Sequence, residues 1–556
     1  MAATQQQPAT MAPAAALTAV RPAGDRAILV ELSSLDTVLS LQAQLTAHPR
    51  PGQIDVIAAA GTVLITADSP HALRALAAHV RSLDLEAPAE ADSTLVTIEV
   101  VYDGDDLDEA AALTGLGRDG VVAAHTDQLW TAAFAGFAPG FAYLTGENST
   151  LDVPRRRSPR TAVPAGAVAL GGPYSAIYPR QSPGGWQLIG RTDATLWDLG
   201  RDNPALIRPG DTVRFAAVRA QATMTRRPEP ADAAARQAPH GEHATAGLAV
   251  RKPGLQATIQ DLGRPGYASL GVSSSGAMDR GALRRANRLV GNPEDAAGVE
   301  MLFGGLEIEA LTDQVLAVTG ASVPLEVTPS GDAKQRPTAV RQPACDAPFA
   351  LLAGERLTVG APTAGLRSYL GVRGGVTGPT ALGSRSTDTM SGLGPDPLQA
   401  GSTLPVGTPT PGSVVGNAEI SPLPDQSRAT VLRVVPGPRQ DWFSEETLAA
   451  FLEQEWTVTP KSNRIGLRLD GEALTRSTDG ELASEGTVRG AVQVPPEGQP
   501  VLFLSDHPVT GGYPVIAVVV HADLDKAAQL PPGATVRFTP ASPAEQPETP
   551  KESFHA

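Results

Sequence analysis

Cysteine is almost missing from this chain. Cys345 stands alone among 556 residues, so no intrachain disulfide can close and no zinc site can be built from thiolates. Lysine is nearly as scarce. None of the five lysines follows the glycine of a phosphate-binding GxxxxGK[ST] loop, and none sits between methionines as a biotin carrier does. No run of about 18 apolar residues occurs, which excludes a membrane-spanning helix. Positive charge is outweighed: 44 Lys and Arg against 59 Asp and Glu give a net charge of −15. So acidic a chain is repelled by a phosphate backbone, which argues against nucleic acid as a partner. Aromatic residues make up only 4%, leaving Val, Leu, Ile and Ala to fill the cores. The opening MAATQQQPATMAPAAALTAV has no basic stretch before an apolar run, so a disordered tail rather than a signal peptide, and a cytoplasmic protein, are expected.

What the chain does contain points to β-structure. Its 56 glycines and 50 prolines suit many short strands joined by turns, and its length implies several cores. Over residues 27–103 two periods alternate. AILVEL reads as a strand, Val38, Leu39, Leu41 and Leu45 as an approximate helical stripe, and IDVIAAA with TVLITA as a hairpin joined at Gly61. Leu73, Leu76, Val80 and Leu83 give a second helical face, and TLVTIEVVYD a last strand. That βαββαβ order predicts a ferredoxin-like α/β domain over 20–104, behind a disordered tail over 1–19. Over 105–218 the texture turns to short strands broken by Gly and Pro. Residues 219–246 lack apolar periodicity and are expected to form a flexible linker. Strand-and-turn texture resumes over 247–427 and 428–542, and 543–556 reads as another disordered tail. PGDTVRF (209–215) recurs as PGATVRF (532–538), and AGERLTVG (353–360) as AGSTLPVG (400–407). The first pair ends two domains, which favours duplication, although such turn–strand phrases also recur by chance in all-β proteins.

Several common motifs fail. GLGRDG (115–120) fits a dinucleotide pattern but follows a helix-like run instead of a strand. No HExxH helix exists, so no metal site is expected, and SSSGAMD (273–279) lacks the framing glycines of a GxSxG elbow. Three segments stand out. FAGFAPGFAYL (134–144) sets four aromatic rings around a Pro-Gly turn. PRRRSPRTAVPAGAVALGG (154–172) carries four arginines ahead of a hairpin, and IYPRQSPGGWQLIGRT (177–192) adds Arg180 and Arg191. The glycines and prolines shape turns. The arginines offer planar forks that grip carboxylate or phosphate, giving either an anion-binding floor or a set of surface ion pairs.

Together these three segments resemble the signature of the 5-oxoprolinase B subunit, a family that includes the sporulation-kinase inhibitor protein. It corresponds to subdomains C and D of the carboxyltransferase domain of urea carboxylase and urea amidolyase. In the second half, VRKPGLQATIQDLGRPGYASLGVSSSGAMDRGALRRANRLVGN (250–292) resembles the opening of the C subunit, subdomains A and B. RSYLGVRGGV, LGSRSTDTMSGLG, SNRIGLRLDG and SEGTVRGAVQVPPEGQPVLFLSDHPVTGGYP continue it in order. The chain therefore looks like B and C subunits fused head to tail. The family fold implies an α+β, mostly β protein: the N-terminal α/β domain followed by three cyclophilin-like β-barrels, over 105–218, 247–427 and 428–542. Departures from the family pattern fall at Pro173–Ala176 and at His507–Thr510, which puts the substrate contacts in question.

The resemblance implies an ATP-dependent opening of the 5-oxoproline lactam to glutamate, working with a separate A-type subunit. The amide is stabilised by resonance. Phosphorylation of its oxygen makes a leaving group, and that transfer calls for positioned positive charge, usually with Mg2+, and a group for each proton. The expected substrate and ATP ligands are Arg155, Arg160, Ser182, Gly184, Gly185, Arg191 and Thr192 in the first half, with Arg367, Arg385, Arg464 and Tyr513 in the second. The expected acid–base groups are Asp279, Asp388, Glu485 and Asp506, all on turn-like segments. His125 is either a proton carrier or a satisfied structural histidine. The expected partners are the A-type subunit, a small-molecule substrate and further copies of the chain. Two other functions suit the family: carboxyl transfer to a urea-like amide, and regulation of a histidine kinase.

Overall fold

The computed structural model describes residues 16–85, 93–156, 158, 160–219, 245–329, 339–409, 411–425, 427–478 and 480–542. Most of the expected linker (220–244), and most of both expected tails, lie outside the described residues.

Leu17–Pro22, Ala27–Leu32, Gln53–Ala58 and Thr62–Ala67 form an antiparallel sheet in which the fourth strand lies between the second and third. Ser34 and Ser69 cap the helices Leu35–Ala47 and Pro70–Ser82 by accepting from free N–H groups of the first turn. The helices bury Val38, Leu41, Leu45, Leu73, Leu76 and Val80 in one core with the sheet. The ferredoxin-like expectation needs correction at its last strand. Leu95–Val100 leaves this sheet and pairs in parallel with Thr212–Ala217. Its buried Ile98 and Val100 find their partners in Val213 and Phe215 of the next unit's core, while Leu17–Pro22 covers the edge beside Ala27–Leu32.

Two barrel-like sheets share one topology. In the first half the order is Gln187–Arg191, Ala167–Gly171, Tyr174–Ile177, Ala142–Gly146, Trp130–Ala135, Thr212–Ala217, Leu95–Val100. In the C-terminal barrel it is Val515–Val519, Ala491–Gln493, Val501–Phe503, Gly466–Asp470, Trp456–Val458, Thr535–Pro540, Thr430–Pro436. Ranked along the chain both read sixth, fourth, fifth, third, second, seventh, first. In each, the first and last strands pair in parallel. The second closes completely, whereas the first is joined at its seam by the single bridge Val101–Arg191. PGDTVRF and PGATVRF occupy the same strand of the two sheets, as duplication requires.

The middle region, expected to be one barrel over 247–427, instead forms two five-stranded sheets. Leu248, Ile308 and Leu357 from one sheet meet Val299, Leu316 and Leu370 from the other in a shared core. The two halves of the chain pack directly on each other. Ala23, Leu29, Ile57 and Leu64 of the N-terminal sheet form an apolar cluster with Ala268 and Val509, and Asp55 accepts from the Ala268 N–H at 3.0 Å. A Cβ on Gly136 would collide with the Thr510 side chain, so glycine there permits the halves to approach.

Candidate functional site

The arginines expected to form an anion floor in the first half are engaged by protein. Arg160 grips Asp106 through both terminal nitrogens, at 2.8 and 2.7 Å, and Arg156 holds the same carboxylate at 2.6 Å. Asp106 also accepts from the Leu188 N–H, and these contacts keep its pKa below the usual range although burial opposes them. Arg191 pairs with Asp103 at 3.0 Å on the surface, and Arg155 lies 5.9 Å over the Trp186 ring. Ser182 is buried with its hydroxyl on the Arg180 carbonyl. Gly184 lies against the Tyr178 hydroxyl, the Gly185 carbonyl accepts from the Arg156 N–H, and Thr192 caps a local turn at Ala194. The aromatic block forms core, with Phe134 stacked on Tyr143 at 4.2 Å.

His125 is structural in its setting. It is fully buried, with Nδ1 2.7 Å from the Tyr102 hydroxyl and Nε2 2.8 Å from Ser175. Burial lowers its pKa to about 3. Its ring lies 4.2 Å from Phe215, and its carbonyl accepts from the Trp130 indole five residues on. In the C-terminal barrel Phe451 does the same, 4.7 Å from Phe538 and beneath the Trp456 indole. A phenylalanine fills the equivalent place, so the barrel itself calls for a ring there and not for an imidazole.

Several of the expected second-half residues converge on a buried seam between the middle sheets and the C-terminal barrel. Arg464, 2% exposed, donates to both oxygens of Asp506 at 2.9 Å, to Glu300 and to the Gly276 carbonyl at 2.7 Å. Asp506 also accepts from Ser275 and Thr389. Burial works against its charge, but Arg464 and these donors hold its pKa down. Arg367 donates to the Ala528 carbonyl beside Glu300. These guanidinium groups fasten the seam; their donors face protein rather than open space. Asp279 caps the helix Arg280–Leu289 and accepts from Gln529, and burial together with Asp525 raises its pKa to about 6. Asp388 accepts from Ser273 at 3.0 Å and from Ser391, and burial and the neighbouring Asp506 raise its pKa.

The remaining three lie apart from the seam. Glu485 pairs with Arg439, which also holds Glu31 of the N-terminal sheet, so the three clamp the halves together. Arg385 gives its backbone N–H to Asp261 and its side chain to the Gly378 carbonyl, and the half-exposed Tyr513 lies 5.7 Å beneath Arg476.

A cleft of about 300 Å3 opens where the N-terminal sheet meets the second half. Asp25, Arg26, Asp55 and Asp68 line it from one side, and Ser273, Arg280, Arg284, Arg489, His507 and His521 from the other. Ser273 joins it to the seam, because its hydroxyl donates to Asp388. Arg280 and Arg489 are not among the expected residues, although both stand inside quoted motifs, SSSGAMDRG and SEGTVRG. Their signal, a charged residue flanked by glycine, is shared by ordinary turns. Only the packing of the halves distinguishes them.

The comparisons with known proteins agree with this division. Residues 18–207 match the carboxyltransferase domain, subdomain C and D, and residues 270–540 match subdomain A and B. The chain belongs to the carboxyltransferase-domain family, with both pairs of subdomains in one polypeptide. Its second half is 38% identical to the C subunit of the Escherichia coli K12 5-oxoprolinase over 298 residues, covering 53% of this chain and 91% of that protein. Its first half is 38% identical to the B subunit of the E. coli O157:H7 5-oxoprolinase over 201 residues, covering 34% of this chain and 92% of that one. The crystal structure of TTHA0988 is similar over 92% of this chain and 99% of its own, at 32% identity and a TM-score of 0.78. The second half is also 31% identical to the urea amidolyase of Lachancea kluyveri, across 53% of this chain and 17% of that one.

Proposed function

We propose that the chain is the B and C component of an ATP-dependent 5-oxoprolinase, an amidohydrolase of the cytoplasm that opens 5-oxoproline to glutamate with an A-type subunit. The observation that carries this reading is that each half aligns with nearly the whole of a separate 5-oxoprolinase component, first the B type and then the C type. ATP, with Mg2+, would supply the activation of the lactam oxygen. Among the described residues no cluster of three His, Cys, Asp or Glu is suited to a metal ion. Asp388, whose pKa burial and the neighbouring Asp506 raise, would exchange a proton with the cleft through Ser273, whose hydroxyl donates to it. Asp506, kept ionised by Arg464, fixes the Ser275 and Thr389 side chains beside it. Arg155, Ser182, Gly184, Gly185 and Thr192 remain candidates for contact with an A-type subunit or its substrate.

The test is reconstitution. Chain and A-type subunit together should release glutamate and phosphate from 5-oxoproline and ATP, and neither alone should complete the turnover. The urea amidolyase similarity of the second half supports a second reading, carboxyl transfer to a urea-like amide. Consumption of carboxybiotin and urea without glutamate formation would replace the first reading with the second.

A further inference from the structure

The cleft between the halves carries an imbalance of charge. Arg280 and Arg489 face it from the helix Arg280–Leu289 and from the turn before Ala491–Gln493. Among the described residues neither makes an ion pair with a carboxylate. Arg280 donates to the Ser275 carbonyl at 3.3 Å and Arg489 to the Met278 carbonyl at 2.5 Å, while the Nε of each is buried with no hydrogen-bond partner. Burial, and then the charge of Arg489, lowers the Arg280 pKa to about 9. Two half-buried guanidinium groups that repel each other cost stability, and the charge of Asp525 nearby offsets this only in part.

The nearby carboxylates are committed elsewhere. Asp525 accepts from the backbone N–H groups of Arg280 and Gly281 at 3.0 Å, so the start of that helix is already capped. Asp55 accepts from the Ala268 N–H, and burial raises its pKa. Asp25 accepts from the His521 N–H at 3.0 Å and lies 4.0 Å from the Arg26 Nε, so of the cleft's arginines Arg26 already has a carboxylate beside it. His521 stands where the fields of Arg26, Arg489, Arg280 and Arg284 meet; burial, reinforced by those four charges, lowers its pKa to about 3. A neutral imidazole among four arginines suits a site that awaits a negative charge.

We propose that this cleft binds a small oxyanion, a carboxylate or a phosphate, between Arg280 and Arg489, with Arg26 contributed by the other half and His521 as a neutral hydrogen-bonding neighbour. The planar forks match two oxygens at once. An anion seated between Arg280 and Arg489 of the second half also comes within reach of Arg26 of the first. This inference rests on the reading above in taking the 5-oxoproline carboxylate or an ATP phosphate as the anion; it concerns equilibrium binding to this chain without an A-type subunit, so failure of binding here and failure of turnover there are told apart.

The experiment is calorimetric titration of the full chain with 2-pyrrolidone-5-carboxylate, neutral 2-pyrrolidinone, inorganic phosphate and ADP. The charged ligands should bind and the neutral lactam should bind at least tenfold more weakly. Competition between the carboxylate and the phosphates decides which source the site prefers. Arg280→Gln and Arg489→Gln should each weaken anion binding tenfold or more. Each variant loses a hydrogen bond to a carbonyl, so its own ligand-free thermal midpoint is the reference, and anion protection against heat measured from that reference should be smaller in both. Equal affinity for the carboxylate and the neutral lactam, unchanged affinity in both variants, or no heat protection of the wild type by phosphate or carboxylate would overturn the proposal. A variant that fails to fold is replaced by Arg→Lys at the same position, read by the same heat protection.

Discussion

Replacing Arg464 with Met tests whether the buried seam holds the second half together. The guanidinium is 2% exposed, and its two carboxylate partners, Asp506 and Glu300, are 0% and 4% exposed. Methionine keeps most of the length but removes every donor, leaving Asp506 with Ser275 and Thr389, and Glu300 with the Tyr369 hydroxyl and the Met278 N–H. Breaking one partner of a buried pair costs about 3–5 kcal/mol, because the orphaned charge stays buried. At roughly 2–4 °C per kcal/mol for a unit of this size, the thermal midpoint should fall by about 6–20 °C. The pH dependence gives a second signature. In the wild type the Asp506 pKa is depressed by Arg464, so its contribution is present above the unfolded value and is lost as pH falls through the folded one. In the variant burial is opposed only by the Ser275 and Thr389 donors, and that pKa rises. The variant should therefore recover part of its deficit on acidification, and the gap should close further only below the ordinary aspartate value of 3.8, where the wild type begins to lose the contribution of its depressed group. Urea denaturation of both proteins at pH 7.5 and pH 5 measures this. A loss below about 1 kcal/mol at neutral pH, or a deficit that does not shrink with acid, would refute a seam held by charge.

Two further predictions separate fold from function. His125→Phe should leave turnover of the reconstituted enzyme unchanged while costing about 1–3 kcal/mol at neutral pH, since the Tyr102 and Ser175 hydroxyls lose their partner; because the folded pKa near 3 lies below the usual 6.5, wild-type His125 withdraws stability as pH falls below 6.5, and that acid lability should lessen in the variant. Arg160→Lys should lower the thermal midpoint, because the two-pronged grip on buried Asp106 is lost, whereas Arg191→Lys, on a half-exposed pair, should change stability by less than about 1 kcal/mol.

The elements of the N-terminal unit are legible in the sequence because apolar periodicity is local: Val38, Leu41 and Leu45 must share a helix face, and Gly61 must turn a hairpin. The destination of Leu95–Val100 is not, since its alternation suits the edge of either sheet and only the parallel pairing with Thr212–Ala217 decides. The seam is legible in part. Asp279, Asp388, Asp506, Arg367 and Arg464 lie in motifs rich in turns, and they do converge. The roles of the arginines are not, because a guanidinium aimed at a ligand and one aimed at Glu300 or Asp106 look alike along the chain. Arg280 and Arg489 escape notice for the opposite reason. What marks them is a missing carboxylate, and absence of a partner is a property of the packed molecule.

The repeated topology offers a way to separate the two kinds of residue. Gly166 and Gly490 both have positive φ, at 79° and 96°, and each lies just before an equivalent strand, donating to the carbonyl of Tyr178 or Phe503. The Trp130 and Trp456 indoles and the Phe215 and Phe538 rings also coincide. Where the two barrels agree, the residue serves the barrel. Where they differ at an equivalent backbone position, the barrel does not explain the residue. Just ahead of these two glycines the first barrel has Ala165 and the second has Arg489. The turn is made equally well by alanine, so no requirement of strand or turn puts a guanidinium at 489. Its enclosure next to Arg280 adds a cost that the first barrel avoids at the same place. On the proposal above, a guanidinium that the turn does not require, and that among the described residues pairs with no carboxylate, is kept for what enters the cleft.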